Sequence, residues 1–175
     1  MRVIGLDPGL RATGWGVIEA EGSRLKHVAH GTLRSDSSCE VPARLVQLKL
    51  GIEEILREFL PDEAAVEETL ANKNPASTLK LGMARGVALL APALRGLPVT
   101  QYLPMIVKKS VVGTGHAKKE QVVMMMQRLL PGATDLSPDA ADALAVAVCH
   151  AHNLETRQAW AAGRADPLLQ SGGFR

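Results

Sequence analysis

A chain of 175 residues is the length of one domain with a sizeable core, and 46% hydrophobic with 22% charged residues is ordinary for a globular protein in water. The net charge of +2 is too small for bulk attraction to a polyanion, so any phosphate-binding surface must be local. No apolar run approaches membrane-spanning length, and the opening Met1–Asp7, met at once by Pro8-Gly9, resembles neither a secretory signal nor a transit peptide, so the expected location is the cytoplasm with no membrane.

Val3 to Leu6 is a short apolar run stopped by Pro8-Gly9 and reads as a buried strand; apolar on both faces, it belongs at the centre of a sheet. Thr13 to Ile18 alternates and reads as a second strand, joined by a tight connection through Leu10-Arg11. Val28 to Leu33 gives a third. Leu45, Leu48, Ile52, Ile55, Leu56 and Phe59 recur at helical spacing until Pro61. Ala64 to Glu67 is a fourth strand with a carboxylate at its end. A helix follows over 76–91, with Leu79, Met83, Val87 and Leu90 on one stripe, Gly82 and Gly86 beside it, and Pro92 expected to kink or end it. Val99 to Tyr102 is a fifth strand and Pro104 opens a short helix. After the flexible loop 113–116 a helix spans 118–130, closed by Pro131-Gly132. Ser137-Pro138 then supplies a cap and a first-turn proline for a last helix running to about His152. Residues 156–175 lose periodicity and read as a flexible tail behind a single domain over 1–155. Three leading strands form a meander and the later two need helical crossovers, which gives an α/β layer structure: a mixed five-stranded sheet flanked by helices.

Four acids stand out by position. Asp7 ends the first strand and Glu67 the fourth; Asp139 and Asp142 share one face of the first turn of the last helix. Each has an ordinary alternative: a turn former, a solvated strand end, a pair of helix-dipole acids. Period-two alternation alone does not choose between Glu67 and Glu68. Four such acids meeting in space would need a partner, since like charges about 4 Å apart repel by roughly 4 kcal/mol at an effective dielectric of 20. Hard divalent cations remove that repulsion, and two of them can drive phosphodiester hydrolysis. His27, His30, His116, His150 and His152 show no ligand spacing with the acids, His150 and His152 being placed beyond the last helix. Cys39 and Cys149 lack any Cys-x-x-Cys context and read as free thiols.

The run Ile4-Gly5-Leu6-Asp7-Pro8-Gly9 with Thr13-Gly14-Trp15-Gly16-Val17 resembles the opening of the RuvC Holliday junction resolvases. Val66-Glu67-Glu68, Asn72-Lys73-Asn74, the segment 79–86, the basic segment 107–119 and Asp139-Ala140-Ala141-Asp142-Ala143-Leu144-Ala145 match that family in order, over about 1–152. The resemblance implies a ribonuclease-H-like fold. It implies that Asp7, Glu67 (rather than Glu68), Asp139 and Asp142 bind two Mg²⁺ (or Mn²⁺) ions and cut four-way junction DNA. It further implies a homodimer built largely on the 76–91 helix, and cooperation with the RuvA–RuvB branch-migration complex. Two departures are visible: Leu70 stands where the family commonly carries an aromatic, and Met105-Ile106 replaces a more polar pair.

Lys108, Lys109, Lys118 and Lys119 cluster around the 113–115 loop and are the expected phosphate contacts, with Lys119 nearest the scissile phosphate and Lys73 and Leu70 in the DNA-facing loop. Lys80 and Arg85 rank behind them, and Trp15 reads as packing rather than a base platform. The competing readings are an actin-like ATPase or sugar kinase, for which the chain is short and lacks a second phosphate loop, and an RNA-processing nuclease of the same fold.

Overall fold

The computed structural model describes residues 1–69 and 74–163, with side chains to residue 154. Five strands, β1 (Arg2–Asp7), β2 (Ala12–Glu21), β3 (Arg24–Arg34), β4 (Glu63–Glu67) and β5 (Val99–Tyr102), and five helices, α1 (Val41–Phe59), α2 (Pro75–Leu94), α3 (Pro104–Val112), α4 (Lys119–Leu129) and α5 (Pro138–Gly163), follow the expected order. The sheet runs β3-β2-β1-β4-β5, with β1 at its centre. The meander pairs are antiparallel, whereas β1–β4 and β4–β5 are parallel, as helical crossovers require.

Alternation along β1 splits the core into two layers. Ile4 and Leu6 pack with α1 and α2 through Ile52, Ile55, Leu56, Ala88 and Ala91. Val3 faces the other way, with Ala65, onto α3, α4 and the alanine-rich α5. On that second face Gly5, Gly14 and Gly16 form a track under α5. A Cβ on Gly5 would lie 2.0 Å from the Ala143 carbonyl oxygen, and one on Gly16 2.5 Å from a Leu144 methyl. The track lets the helix backbone rest on the strands, closer than side chains would allow. Trp15 is a packing residue, its ring 5.6 Å from that of Phe59.

Three elements outrun their sequence signals. The β2–β3 hairpin extends to Glu21 and Arg24, because its backbone ladder continues past the core into Glu19, Glu21 and Lys26, which carry no apolar pattern. α2 passes through Pro92 and closes two residues later, where Leu97, Gly96 and Arg95 donate back to Pro92 and Ala93 carbonyls. α5 continues to Gly163 instead of stopping near His152, so residues 156–163 are helical. The sequence 154–162 holds no glycine or proline, and helix-forming residues dominate it. The rest of the expected tail lies outside the described residues.

Candidate active site

β1 and β4 end side by side. Their parallel register sets Leu6 against Val66, so Asp7 and Glu67 are the next step of both strands. Asp7 shares the parity of Val3 and Gly5, and Glu67 that of Ala65, so both acids point to the α5 face. Glu68 takes the opposite parity and forms an ion pair with Arg85 of α2 at 3.8 Å. The ambiguity between the two glutamates is therefore a matter of which layer each strand face serves. The loop after Asp7 is stapled: Thr13 Oγ1 donates to the Gly9 carbonyl at 2.8 Å, and Arg44 and Ser35 both donate to the Leu10 carbonyl.

The second pair of acids arrives on α5. Ser137 caps the helix, its Oγ accepting from the Ala140 N–H at 3.2 Å and sitting 3.0 Å from Thr32 Oγ1 on β3. The Asp139 backbone abuts Gly14, the register partner of Asp7. All four acids thus fall within electrostatic reach of one another. Burial, then the charges of Asp142 and Asp139, push Asp7 up to about 7, against the opposing effects of a Glu67 hydrogen bond and Lys119. Burial, then the Asp7 and Asp142 charges, push Glu67 up to about 8, its own bond to Asp7 helping and Lys108 opposing. Asp7 and Glu67 are close enough to hydrogen-bond, and burial beside like charge raises both. Asp142 is also raised, by burial first, with Lys119 and Lys108 pulling it down.

These raised values carry a stability consequence. The unfolded chain releases these protons near the ordinary carboxylate range, while the folded chain keeps them to about 7–8. The folded state therefore binds more protons in between, and stability falls as pH rises from about 4 to about 8. The metal-free protein is expected to melt lower at pH 8.5 than at pH 6. Asp7→Asn is expected to flatten that slope, adding on the order of 2 kcal/mol, or about 4–8 °C, at the higher pH. Thermal melts in a chelator at both pH values check this; an equal slope in the variant would contradict it.

The donor set suits a hard cation: four carboxylates, with oxygen donors only. Among the described residues no three His, Cys, Asp or Glu side chains stand in finished ligand geometry. Burial instead raises Asp7 and Glu67 toward the neutral range. Buried acids that retain protons near neutrality are the groups whose protons a divalent cation would displace, so the residues fit such an ion.

The expected cations sort by position. Lys119 Nζ lies 3.7 Å from Asp142 Oδ2, and the Lys108 charge acts on both Glu67 and Asp142. Lys109, the next residue on α3, turns instead to a groove with Ile106, Ser110, His152 and Asn153. Lys118 is exposed at the start of α4, where its N–H donates to Gln121 Oε1 at 2.8 Å. Leu70 and Lys73 lie outside the described residues. His150, expected beyond the last helix, is inside α5 and 1% exposed; its Nδ1 is 2.9 Å from the Tyr102 hydroxyl and its Nε2 2.9 Å from Glu63 Oε2. Its spacing from Ala143 and Ala147 continues the buried face of α5, a signal present in the sequence. Cys39 and Cys149 are free thiols.

The family model described as "Crossover junction endodeoxyribonuclease RuvC" matches residues 3–150. The chain belongs to the RuvC family. The RuvC of Paramagnetospirillum magneticum is 62% identical over 158 residues, 90% of this chain and 95% of that one. The RuvC of Gluconacetobacter diazotrophicus is 55% identical over 175 residues, 100% of this chain and 98% of its own. Among solved structures, Thermus thermophilus RuvC in complex with a Holliday junction substrate superposes with a TM-score of 0.82 at 32% identity, covering 90% of this chain and 96% of that one. The yeast mitochondrial resolvase Ydc2, at 14% identity and a TM-score of 0.64, covering 89% of this chain and 80% of its own, shares the fold. The mixed sheet with flanking helices is the ribonuclease-H-like architecture of these resolvases. RuvC proteins are endonucleases of crossover junctions, and this chain is one of that family. Among the described residues no helix is long and apolar enough to cross a membrane.

Proposed function

We propose that this RuvC chain resolves four-way DNA junctions by symmetric, two-metal phosphodiester hydrolysis in the cytoplasm, with residues 1–155 carrying the chemistry. The observation that carries this reading is the convergence of Asp7, Glu67 and the Asp139/Asp142 pair, distant in the chain, into one carboxylate cluster whose charges act on Asp7, Glu67 and Asp142. These four side chains would hold two Mg²⁺ or Mn²⁺ ions. When bound, such ions activate water and stabilise the leaving oxygen of a phosphodiester. The protein's part is to aim the oxygens. Asp7 and Glu67 sit on rigid strand ends, and the Ser137 cap fixes the start of α5. Lys119, beside Asp142, and Lys108 offer positive charge to the scissile phosphate, while Lys109 and Lys118 contact DNA farther out; Lys73 and Leu70 are further proposed DNA contacts.

A metal-titrated assay on a movable junction tests the reading. Paired nicks at two-fold-related positions should appear only with a divalent ion, and structured RNA should stay intact. Cutting in the presence of chelator, or unpaired nicks, would overturn it.

Symmetric cutting calls for a homodimer, because a junction presents two equivalent strands. α2 supports this. Leu79, Met83, Leu90 and Leu94 are 49–66% exposed along one stripe, and no atom lies within 4 Å of a Cβ placed on Gly82 or Gly86. Helix-interior glycines cost roughly 1 kcal/mol each relative to alanine, and nothing within the described chain compensates. Packing against a second copy accounts for both features. Leu79→Glu with Met83→Glu is expected to yield monomers by sedimentation and to abolish paired nicking while the fold survives. A dimer that persists at micromolar concentration would contradict this interface. The RuvA–RuvB branch-migration complex is the proposed cellular partner.

A further inference from the structure

His27 and His30 are three residues apart on β3, a spacing that in a regular strand sends side chains to opposite faces. The β2–β3 register shifts between Val17 and Ile18: Val17 pairs Ala29 and Ile18 pairs His27, leaving Val28 as an extra residue. That bulge reverses the parity and brings both imidazoles to the α5 face. His27 Nε2 and His30 Nδ1 then approach to 2.8 Å, with ring centroids 4.9 Å apart. The pair is half-buried beneath the loop that precedes α5. A Cβ placed on Gly132 would lie 3.4 Å from His27 Nδ1, the Thr134 backbone hydrogen-bonds His30, and the Asp135 charge acts on it. Asp135 itself holds a left-handed backbone, φ 52°, uncommon for a residue other than glycine.

We infer that His27 and His30, with the Asp135 charge nearby, form a two-nitrogen chelating site for a borderline transition-metal cation of the Zn²⁺ class, separate from the carboxylate cluster. Two nitrogens facing each other at hydrogen-bond distance share one proton between two lone pairs. A cation replaces that proton and takes both lone pairs. Tetrahedral Zn²⁺, with bonds of about 2.0–2.1 Å, sets its nitrogens about 3.3–3.4 Å apart, so the rings need to part by roughly half an ångström. Burial, with the neighbouring His30 charge adding for His27, lowers both histidines, and Thr134 and Asp135 only partly offset this for His30. The ligand form is thus the neutral one at pH 7. Asp135 supplies the negative charge, and water fills the remaining positions, since the described residues offer no third side chain already in ligand geometry. Imidazole nitrogen selects Zn²⁺, Cu²⁺ or Ni²⁺ over Mg²⁺, whereas the all-oxygen acid cluster has the reverse preference.

The test is a ZnCl₂ titration by calorimetry of the full chain in excess Mg²⁺, in wild type, His27→Gln, His30→Gln, Asp135→Asn and Asp7→Asn. The expected result is one Zn²⁺ per chain, kept by Asp7→Asn, weakened at least 10-fold by either glutamine variant and several-fold by Asp135→Asn. Melting curves confirm that each variant is folded. As an independent readout, the electron paramagnetic resonance spectrum of bound Cu²⁺ should show coupling to two nitrogens in wild type and fewer in His30→Gln. Absence of Zn²⁺ binding below 100 µM, or binding untouched by both glutamine variants, overturns the site and leaves the nuclease reading standing.

Discussion

Asp7→Asn is expected to lower junction cleavage at least ~1000-fold, equivalent to about 4 kcal/mol of transition-state stabilisation, while leaving junction affinity within a few-fold of wild type. Asp7 is the acid on which the others converge: Glu67 hydrogen-bonds it, and the charges of Asp142, Asp139 and Lys119 all act on it. Asparagine keeps the shape but removes the charge that a shared cation would need from both sides. The lysines proposed to meet backbone phosphate are unaffected, so binding and its salt dependence should persist. Single-turnover cleavage and a gel-shift titration separate the two effects. A variant cutting at more than a tenth of the wild-type rate in Mg²⁺ would remove Asp7 from the chemistry. The same variant is expected to be more thermostable at alkaline pH, so lost activity cannot be ascribed to unfolding.

Gly14→Ala should cripple the enzyme from outside the acid cluster. A Cβ at Gly14 would lie 2.0 Å from the Asp139 carbonyl oxygen and 2.5 Å from its carbon. Both are backbone atoms, so no rotamer change relieves the clash, and the start of α5 must lift by an ångström or more. Overpacking of this kind costs about 1–3 kcal/mol, and misplacing a reacting group by about 1 Å costs on the order of 100-fold in rate. The expected variant folds, melts several degrees lower, and cuts about 100-fold more slowly at saturating Mg²⁺. Wild-type rates would mean that the strand–helix contact does not position Asp139 and Asp142.

Much of this protein was legible in one dimension. The central strand showed itself because Val3–Leu6 must be buried on both faces, and the start of the last helix because Ser137-Pro138 satisfies its first N–H groups. The four acids stood out because strand ends and helix starts are where α/β sheets leave space. Lys108 and Lys109 were not separable, since one step along α3 decides which of them meets the acids. The Leu79–Leu90 stripe was legible as apolar but not as outward-facing, because periodicity carries no direction.

The sequence by itself determined the element order, the mixed sheet and the placing of Asp7, Asp139 and Asp142 at a strand end and a helix start, since these follow from local periodicity, capping and punctuation. Only the tertiary structure decided which neighbouring glutamate falls on the layer of Asp7, that burial raises Asp7 and Glu67 together, and that His27 and His30 touch. Each of these depends on strand parity, register or burial, which arise when segments far apart in the chain fix one another. A single unpaired residue, Val28, is enough to reverse a side chain's direction, and nothing in its own chemistry announces it.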